Sequence, residues 1–271
     1  MTAREIQMIR AEVQAKRPLI HCITNPISIN QCANTVLSAG ARPIMAEHPL
    51  EAAEITRTAD ALMLNIANIT DARMQSIRIS AEVAREHNIP VILDVVGISC
   101  STLRREFAHR LIRDFPPTVI KGNYSEICAL SDENYKSSGV DSHSSATFEM
   151  TLRAAVGSAR SLNAVILASG RRDIVTDGQR ALFCDNGTPR LGEITGTGCM
   201  QGALAGAYLS CAGGFEASAA ACSVLGICGE LASVSRGMGS FSWALFDALS
   251  TISEEEITER IRLEERKVET V

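Results

Sequence analysis

Six short runs rich in Val, Ile and Leu recur along the chain, at Leu19–Ile23, Pro43–Ala46, Ala61–Ile66, Val91–Val96, Val119–Lys121 and Val165–Ala168. Each is bounded by polar or glycine-containing sequence, and segments of helical periodicity lie between them. That alternation predicts an α/β fold, a mainly parallel central sheet flanked by helices. The helical segments are Ser28–Ser38, Pro49–Thr58, Asp71–Glu86, Thr102–Arg113 and Thr147–Leu162. In the third of these, Met74, Ile77, Ala81 and Val83 fall near helical spacing with arginines between them.

Ile174–Thr176 and Arg180–Cys184 flank Asp177-Gly178, a strong hairpin turn signal, so this pair is expected as an antiparallel addition at one sheet edge. After Cys199 the pattern is helical, over Phe215–Ser235, Phe241–Thr251 and Glu254–Lys267. Ser253 followed by three glutamates reads as an N-cap with dipole-favoured acids. The polar segment Ser131–Ser145 has little periodicity. Nothing marks a boundary, and residues 1–271 are expected to form a single domain.

Composition removes several classes of function. A net charge of −5 without a basic run argues against nucleic acid, whose backbone demands clustered cations. No stretch approaches about 18 uninterrupted apolar residues, so no membrane partner is expected. The first ten residues lack an apolar signal core, and the expected location is cytoplasmic. Nine scattered cysteines, with no C-x-x-C pair, indicate neither a zinc site nor a disulfide framework.

Ile194-Thr-Gly-Thr-Gly-Cys199 lies between a Gly- and Pro-bearing loop and the small-residue run Met200–Tyr208. Glycines followed by a helix start describe an anion cradle, because bare amides and the positive helix end converge there. Cys199 falls in that first turn, where the same field favours a thiolate. Alone, the triplet reads better as a helix-capping loop with a core cysteine.

Its company changes the reading. Asp94 ends one apolar run, and Val119–Lys121 opens into Gly122-Asn-Tyr-Ser-Glu126. Ligands collect beyond the carboxyl ends of parallel strands, so these groups are expected at one rim. Phosphoryl transfer with Mg²⁺ needs only one or two carboxylates. Asp94 and Glu126, with Asn123, supply that set; Lys121 supplies a cation for nucleotide phosphates. Taken singly, Glu126 reads as a dipole-stabilising first-turn acid and Asp94 as a turn former.

His21-Cys-Ile-Thr-Asn25, Met45-Ala46, Leu64-Asn65-Ile66, Val91-Ile-Leu-Asp94, Lys121-Gly-Asn-Tyr-Ser-Glu126 and Thr195-Gly-Thr-Gly-Cys199 follow one another in an order and spacing that resemble hydroxyethylthiazole kinase. The resemblance implies a ribokinase-like fold and ATP-dependent phosphorylation of the hydroxyl of 4-methyl-5-(2-hydroxyethyl)thiazole for thiamine salvage. It also implies a homotrimer with active sites between subunits. Carried over by position, Met45, Gly196 and Asn25 bind the substrate; Lys121, Ser169, Asn123, Thr197 and Gly198 bind ATP; Asp94 and Glu126 serve the metal; and Cys199 acts on the reacting hydroxyl. Asp94 here leads into Val95–Cys100, where the family commonly has Pro-Val-Gly. Other readings are a ribokinase-like kinase of another vitamin-type alcohol, a Cys199 hydrolase drawing its base from His21 or His48, and a non-catalytic ligand-binding homologue.

Overall fold

The computed structural model describes residues 1–132, 134–135 and 146–268, so most of the polar segment 131–145 lies outside the described residues. Among the described residues, β1 (Leu19–Ile23), β2 (Arg42–Ile44), β3 (Ala61–Asn65), β4 (Val91–Asp94), β5 (Val119–Asn123), β6 (Val165–Ser169), β7 (Asp173–Thr176), β8 (Arg180–Cys184) and β9 (Leu263–Lys267) form one sheet. Its order is β2-β1-β3-β4-β5-β6-β7-β8-β9. The strands from β2 to β6 pair in parallel; β7, β8 and β9 add antiparallel at one side.

Helices α1 (Ala3–Lys16), α2 (Ile29–Ser38), α3 (Pro49–Arg57), α4 (Asp71–His87), α5 (Thr102–Asp114), α6 (Tyr124–Ser131) and α7 (Phe148–Leu162) precede or connect strands. Four more follow β8: α8 (Thr197–Leu209), α9 (Gly214–Ala232), α10 (Met238–Thr251) and α11 (Glu254–Arg260). Two apolar cores result, one on each face. Leu62, Leu64, Leu93, Ile120 and Ile166 pack with residues of α4, α5 and α7, whereas Met63, Ile92, Val119 and Leu167 pack with α8 and α9. The alternation follows the two-residue period of a strand.

Helix α9 is 19 residues long, and an 18-residue stretch of it has a mean hydropathy of 1.3 and is 83% buried inside the fold. A helix that is apolar all round belongs in a core. Helix α8 reaches the sheet by a different device. A side-chain carbon at Gly202 would meet Met63 Cε at 3.2 Å, and one at Gly206 would meet Met63 Cβ at 3.4 Å. With Gly198 they recur every four residues, so one glycine stripe lets the α8 backbone lie against β3 and β4.

The structure departs from the sequence expectation chiefly at the two ends of the chain and at two strand ends. Helix α1, for which no expectation is stated above, starts from a Thr2–Glu5 capping box. Strand β2 stops at Ile44, leaving Met45 on a loop, and β4 stops at Asp94. The expected helix Glu254–Lys267 ends at Arg260, and Leu263–Lys267 becomes β9 instead. Pairing with β8 overrides the helical preference of its Glu and Lys residues, and those charges suit an outermost strand.

Candidate active site

Parallel register assembles the site's floor. Asn65 stands opposite Asp94, and Asp94 opposite Lys121, on β3, β4 and β5. Each lies two residues beyond Met63, Ile92 or Val119, so the three polar groups continue the face that α8 covers. Asn123 and Ser169 pair one strand further along, on β5 and β6.

Across this row lies the glycine cradle. Gly196 is the N-cap of α8, with φ +94, a left-handed conformation that favours glycine. The first helical bond runs from Met200 N to Gly196 O (2.8 Å), so the amides of Thr197, Gly198 and Cys199 precede the helical ladder. A carbon added at Gly198 would sit 3.3 Å from Lys121 Nζ, which puts the cradle directly over the lysine. The Thr197 hydroxyl points elsewhere, donating to Leu191 O at 2.7 Å.

Cys199 Sγ receives two amides, Asn25 Nδ2 and Asn65 Nδ2, each at 3.4 Å. The Ser28 hydroxyl beside it also favours the thiolate. Asn65 also donates to Asp94 Oδ2 (3.1 Å), and its Oδ1 accepts from Ala67 N (2.8 Å) and Asn25 Nδ2 (3.4 Å). Asn25 in turn accepts from the amides of Ile27 and Ser28, which fixes the entry to α2. In the sequence Asn65 stands out only as part of the Leu64-Asn-Ile66 motif. Its signal was a polar residue ending an apolar strand, level with Asp94.

The buried charges hold one another in place. Lys121 Nζ lies 3.1 Å from Asp94 Oδ2 with both side chains almost wholly buried. Burial pushes the Asp94 carboxyl up, against Lys121 and Asn65, which pull it down. Burial alone would lower Lys121, but Asp94, Cys199 and Glu126 outweigh it and raise the ammonium. Burial, with Asp94 beside it, lifts Glu126 to about 7. Burial and Asp94 also push the Cys199 thiol up, against Lys121, Ser28 and Asn25. This corrects the expectation of a thiol lowered by its helix terminus, because desolvation penalises the thiolate more than those donors help it.

Glu126 does more than sequence suggested. Its two oxygens accept from Gly97 N and Asn123 N, each at 2.7 Å, while Asn123 Oδ1 caps Glu126 N at 2.9 Å. Asn-x-x-Glu is a legible capping-box pattern, and here the box also pins Gly97 at φ +80 in the Val95–Cys100 loop. Asp94 Oδ1 is different: it is buried without a hydrogen-bond partner. Among the described residues, no group of three or more His, Cys, Asp or Glu side chains is arranged around a metal position. A cation bound chiefly through phosphate and water needs no such cage, and the orphaned carboxylate oxygen fits that kind of site.

Ser169 closes the far end of the row, its hydroxyl 3.4 Å from Gly122 O. Met45 lies beyond β2, half-buried against the same core as Cys199. The hydrolase reading fails on geometry. Both ring nitrogens of His21 are engaged, with Thr56 Oγ1 and Ala46 O, His48 Nδ1 accepts from Leu50 N, and the donors to Cys199 Sγ are the amides of Asn25 and Asn65, so neither ring is hydrogen-bonded to the thiol.

Residues 10–255 match the profile of the hydroxyethylthiazole kinase family. The chain is 42% identical over 260 residues to hydroxyethylthiazole kinase 2 of Clostridium botulinum (strain 657 / Type Ba4), covering 94% of this chain and 98% of that protein. It is 38% identical to hydroxyethylthiazole kinase of Methanocella arvoryzae, covering 97% and 99%. The solved hydroxyethylthiazole kinase protein of Pyrococcus horikoshii OT3 superposes with a TM-score of 0.89 at 32% identity, over 97% and 99% of the two chains. The pyridoxal kinase of Staphylococcus aureus, in complex with AMP-PCP and pyridoxal, superposes at 0.65 and 17% identity, covering 92% and 98%; this shows a shared ribokinase-like fold. With a sequence match over most of its length, the same sheet and the cysteine-floored cradle in place, this chain belongs to the hydroxyethylthiazole kinase family.

Proposed function

We propose that this chain transfers the γ-phosphoryl group of ATP to the hydroxyl of 4-methyl-5-(2-hydroxyethyl)thiazole, a step of thiamine synthesis or salvage. One observation carries the reading: three unladdered amides and Cys199 stand over the in-register row Asn65, Asp94 and Lys121. The transition state of phosphoryl transfer is loose, and catalysis is mainly positioning and charge stabilisation. The amides at the start of α8 take the phosphoryl oxygens, Lys121 supports them from below, and Asn123 and Ser169 line the nucleotide side.

Met45, Asn25 and Gly196 bind the alcohol, with its hydroxyl at Cys199. A loose transition state keeps the alcohol proton in place until late, so a weak base suffices. To accept it the sulfur must be a thiolate, the form that the Asn25 and Asn65 amides and the Lys121 charge favour against burial. Asp94, whose Oδ1 has no hydrogen-bond partner, and Glu126 would hold Mg²⁺, which would supply positive charge to the triphosphate; Glu126 also shapes the loop at Gly97.

A homotrimer with sites shared between subunits belongs to the same reading. Ile27, Leu37, Met238 and Trp243 are exposed, Trp243 by 73%, and they lie on or beside α2 and α10, which pack together. Ile27 is two residues from Asn25, so an assembly over this face reaches the site. A cytoplasmic setting suits an ATP-consuming enzyme with nine free cysteines. The whole of 1–271 acts as one kinase unit.

ATP consumption dependent on the thiazole alcohol tests the reading, with pyridoxal, a pyrimidine alcohol and ribose as alternative acceptors. Turnover with the thiazole alcohol above the others is the expected result. Preference for another acceptor, or ATP hydrolysis indifferent to all four, overturns it.

A further inference from the structure

The sequence singled out His21 as the start of a motif, and the proposed chemistry leaves it unused. It lies on β1, opposite Ile44 of β2, and is wholly buried. Its Nε2 is 2.8 Å from Ala46 O and its Nδ1 is 2.9 Å from Thr56 Oγ1. A carbonyl only accepts, so Nε2 carries the proton. Burial lowers the imidazole, which favours the neutral ring; Nδ1 faces the Thr56 hydroxyl, for whose single proton it competes with Ala52 O at 2.7 Å. Thr56 Oγ1 is itself 2.8 Å from Ser80 Oγ, and Thr56 and Ser80 are fully buried.

The bond to Ala46 falls on a segment with no regular structure of its own. Residues 45–48 join β2 to α3, and they begin with Met45. The next residue is held from α4: Ser76 Oγ donates to Glu47 O at 2.6 Å, and the buried Arg73 donates through Nε to Glu47 Oε2 at 3.0 Å. An apolar side chain at position 21 would fill the same space, but it would leave Ala46 O without its donor. A ring N–H held rigidly at this distance from the sheet answers that carbonyl.

We infer that His21 is a positioning residue for substrate recognition, a strut from the sheet that sets the height of the Met45–Glu47 loop over the alcohol site. The inference rests on the reading that Met45 touches the alcohol. It assigns His21 no role in the phosphoryl step and no contact with ATP. It also accounts for a histidine at a site where no proton moves.

Three variants separate this from a packing role. Gln places an amide nitrogen about where Nε2 stands, Asn about where Nδ1 stands, and Leu removes both. KM for the thiazole alcohol is expected to rise about three- to tenfold in His21→Asn and His21→Leu, the worth of one net hydrogen bond. His21→Gln should stay near wild type, and KM for ATP should hold steady in all three. If Gln and Asn raise KM for the alcohol equally, if both KM values rise together, or if only the melting temperature moves, the inference is overturned. Wild-type protein that does not phosphorylate the alcohol overturns the functional reading and takes this inference with it, whereas an active wild type with an unaltered Asn variant overturns the inference alone.

Discussion

The amide nitrogen of Asn65 lies 3.4 Å from the sulfur of Cys199 while donating to Asp94 at 3.1 Å. One small side chain thus orients the reactive thiol and the buried carboxylate together. Asn65→Leu removes both donors and leaves Ala67 N without its acceptor. A loss of about 1–3 kcal/mol in unfolding stability is expected for that buried polar group, together with lowered kcat. Urea denaturation beside steady-state kinetics checks it; unchanged values of both would deny Asn65 any part in the site.

Cys199 has its donors already in place, so a carboxylate at this position inherits them. Cys199→Asp should stay active, and Cys199→Ser should lose up to about 10²-fold in turnover, the low end for a general base. Equal turnover in all three proteins would reduce Cys199 to packing.

Gly196 has φ +94, and a side-chain carbon there would meet Ser28 Cβ at 3.0 Å. Gly196→Ala combines backbone strain with that contact. It should cost about 1–3 kcal/mol and raise KM for both substrates, since the cradle and the entry to α2 move together. A thermal melt equal to wild type would contradict this.

Glu126→Gln keeps one acceptor where two are used, so the amide of Gly97 or of Asn123 goes unpaired. A rise in the Mg²⁺ concentration needed for half-maximal rate is expected, along with lower stability. An identical magnesium titration would leave Glu126 with only its loop-shaping role.

The His21 imidazole is held below its ordinary range, chiefly by burial. Between its unfolded value and that depressed folded value, the unfolded chain binds a proton that the native state refuses. Stability supplied by the neutral ring is therefore present above about 6.5 and is lost as pH falls below it. Denaturant midpoints across pH 7 to 5 should fall less steeply in His21→Gln than in wild type. Parallel slopes would place the acid sensitivity elsewhere.

Much of this protein is written in local patterns. Apolar runs punctuated by glycine and polar residues announced the parallel sheet, Asp177-Gly178 announced the β7–β8 hairpin, and Gly196-Thr-Gly announced the start of α8. Those features depend on near neighbours in sequence, where steric and hydrogen-bonding preferences act directly. Strand β9 was illegible because its Glu- and Lys-rich stretch prefers a helix until β8 offers a ladder. Tertiary structure alone decided that Asn65, Asp94 and Lys121 share one row, that Glu126 spends both oxygens on backbone amides, and that the Cys199 thiol is raised rather than lowered. Register between distant strands and desolvation by the covering helices are properties of the packed whole, and neither is carried by any stretch of residues read in isolation.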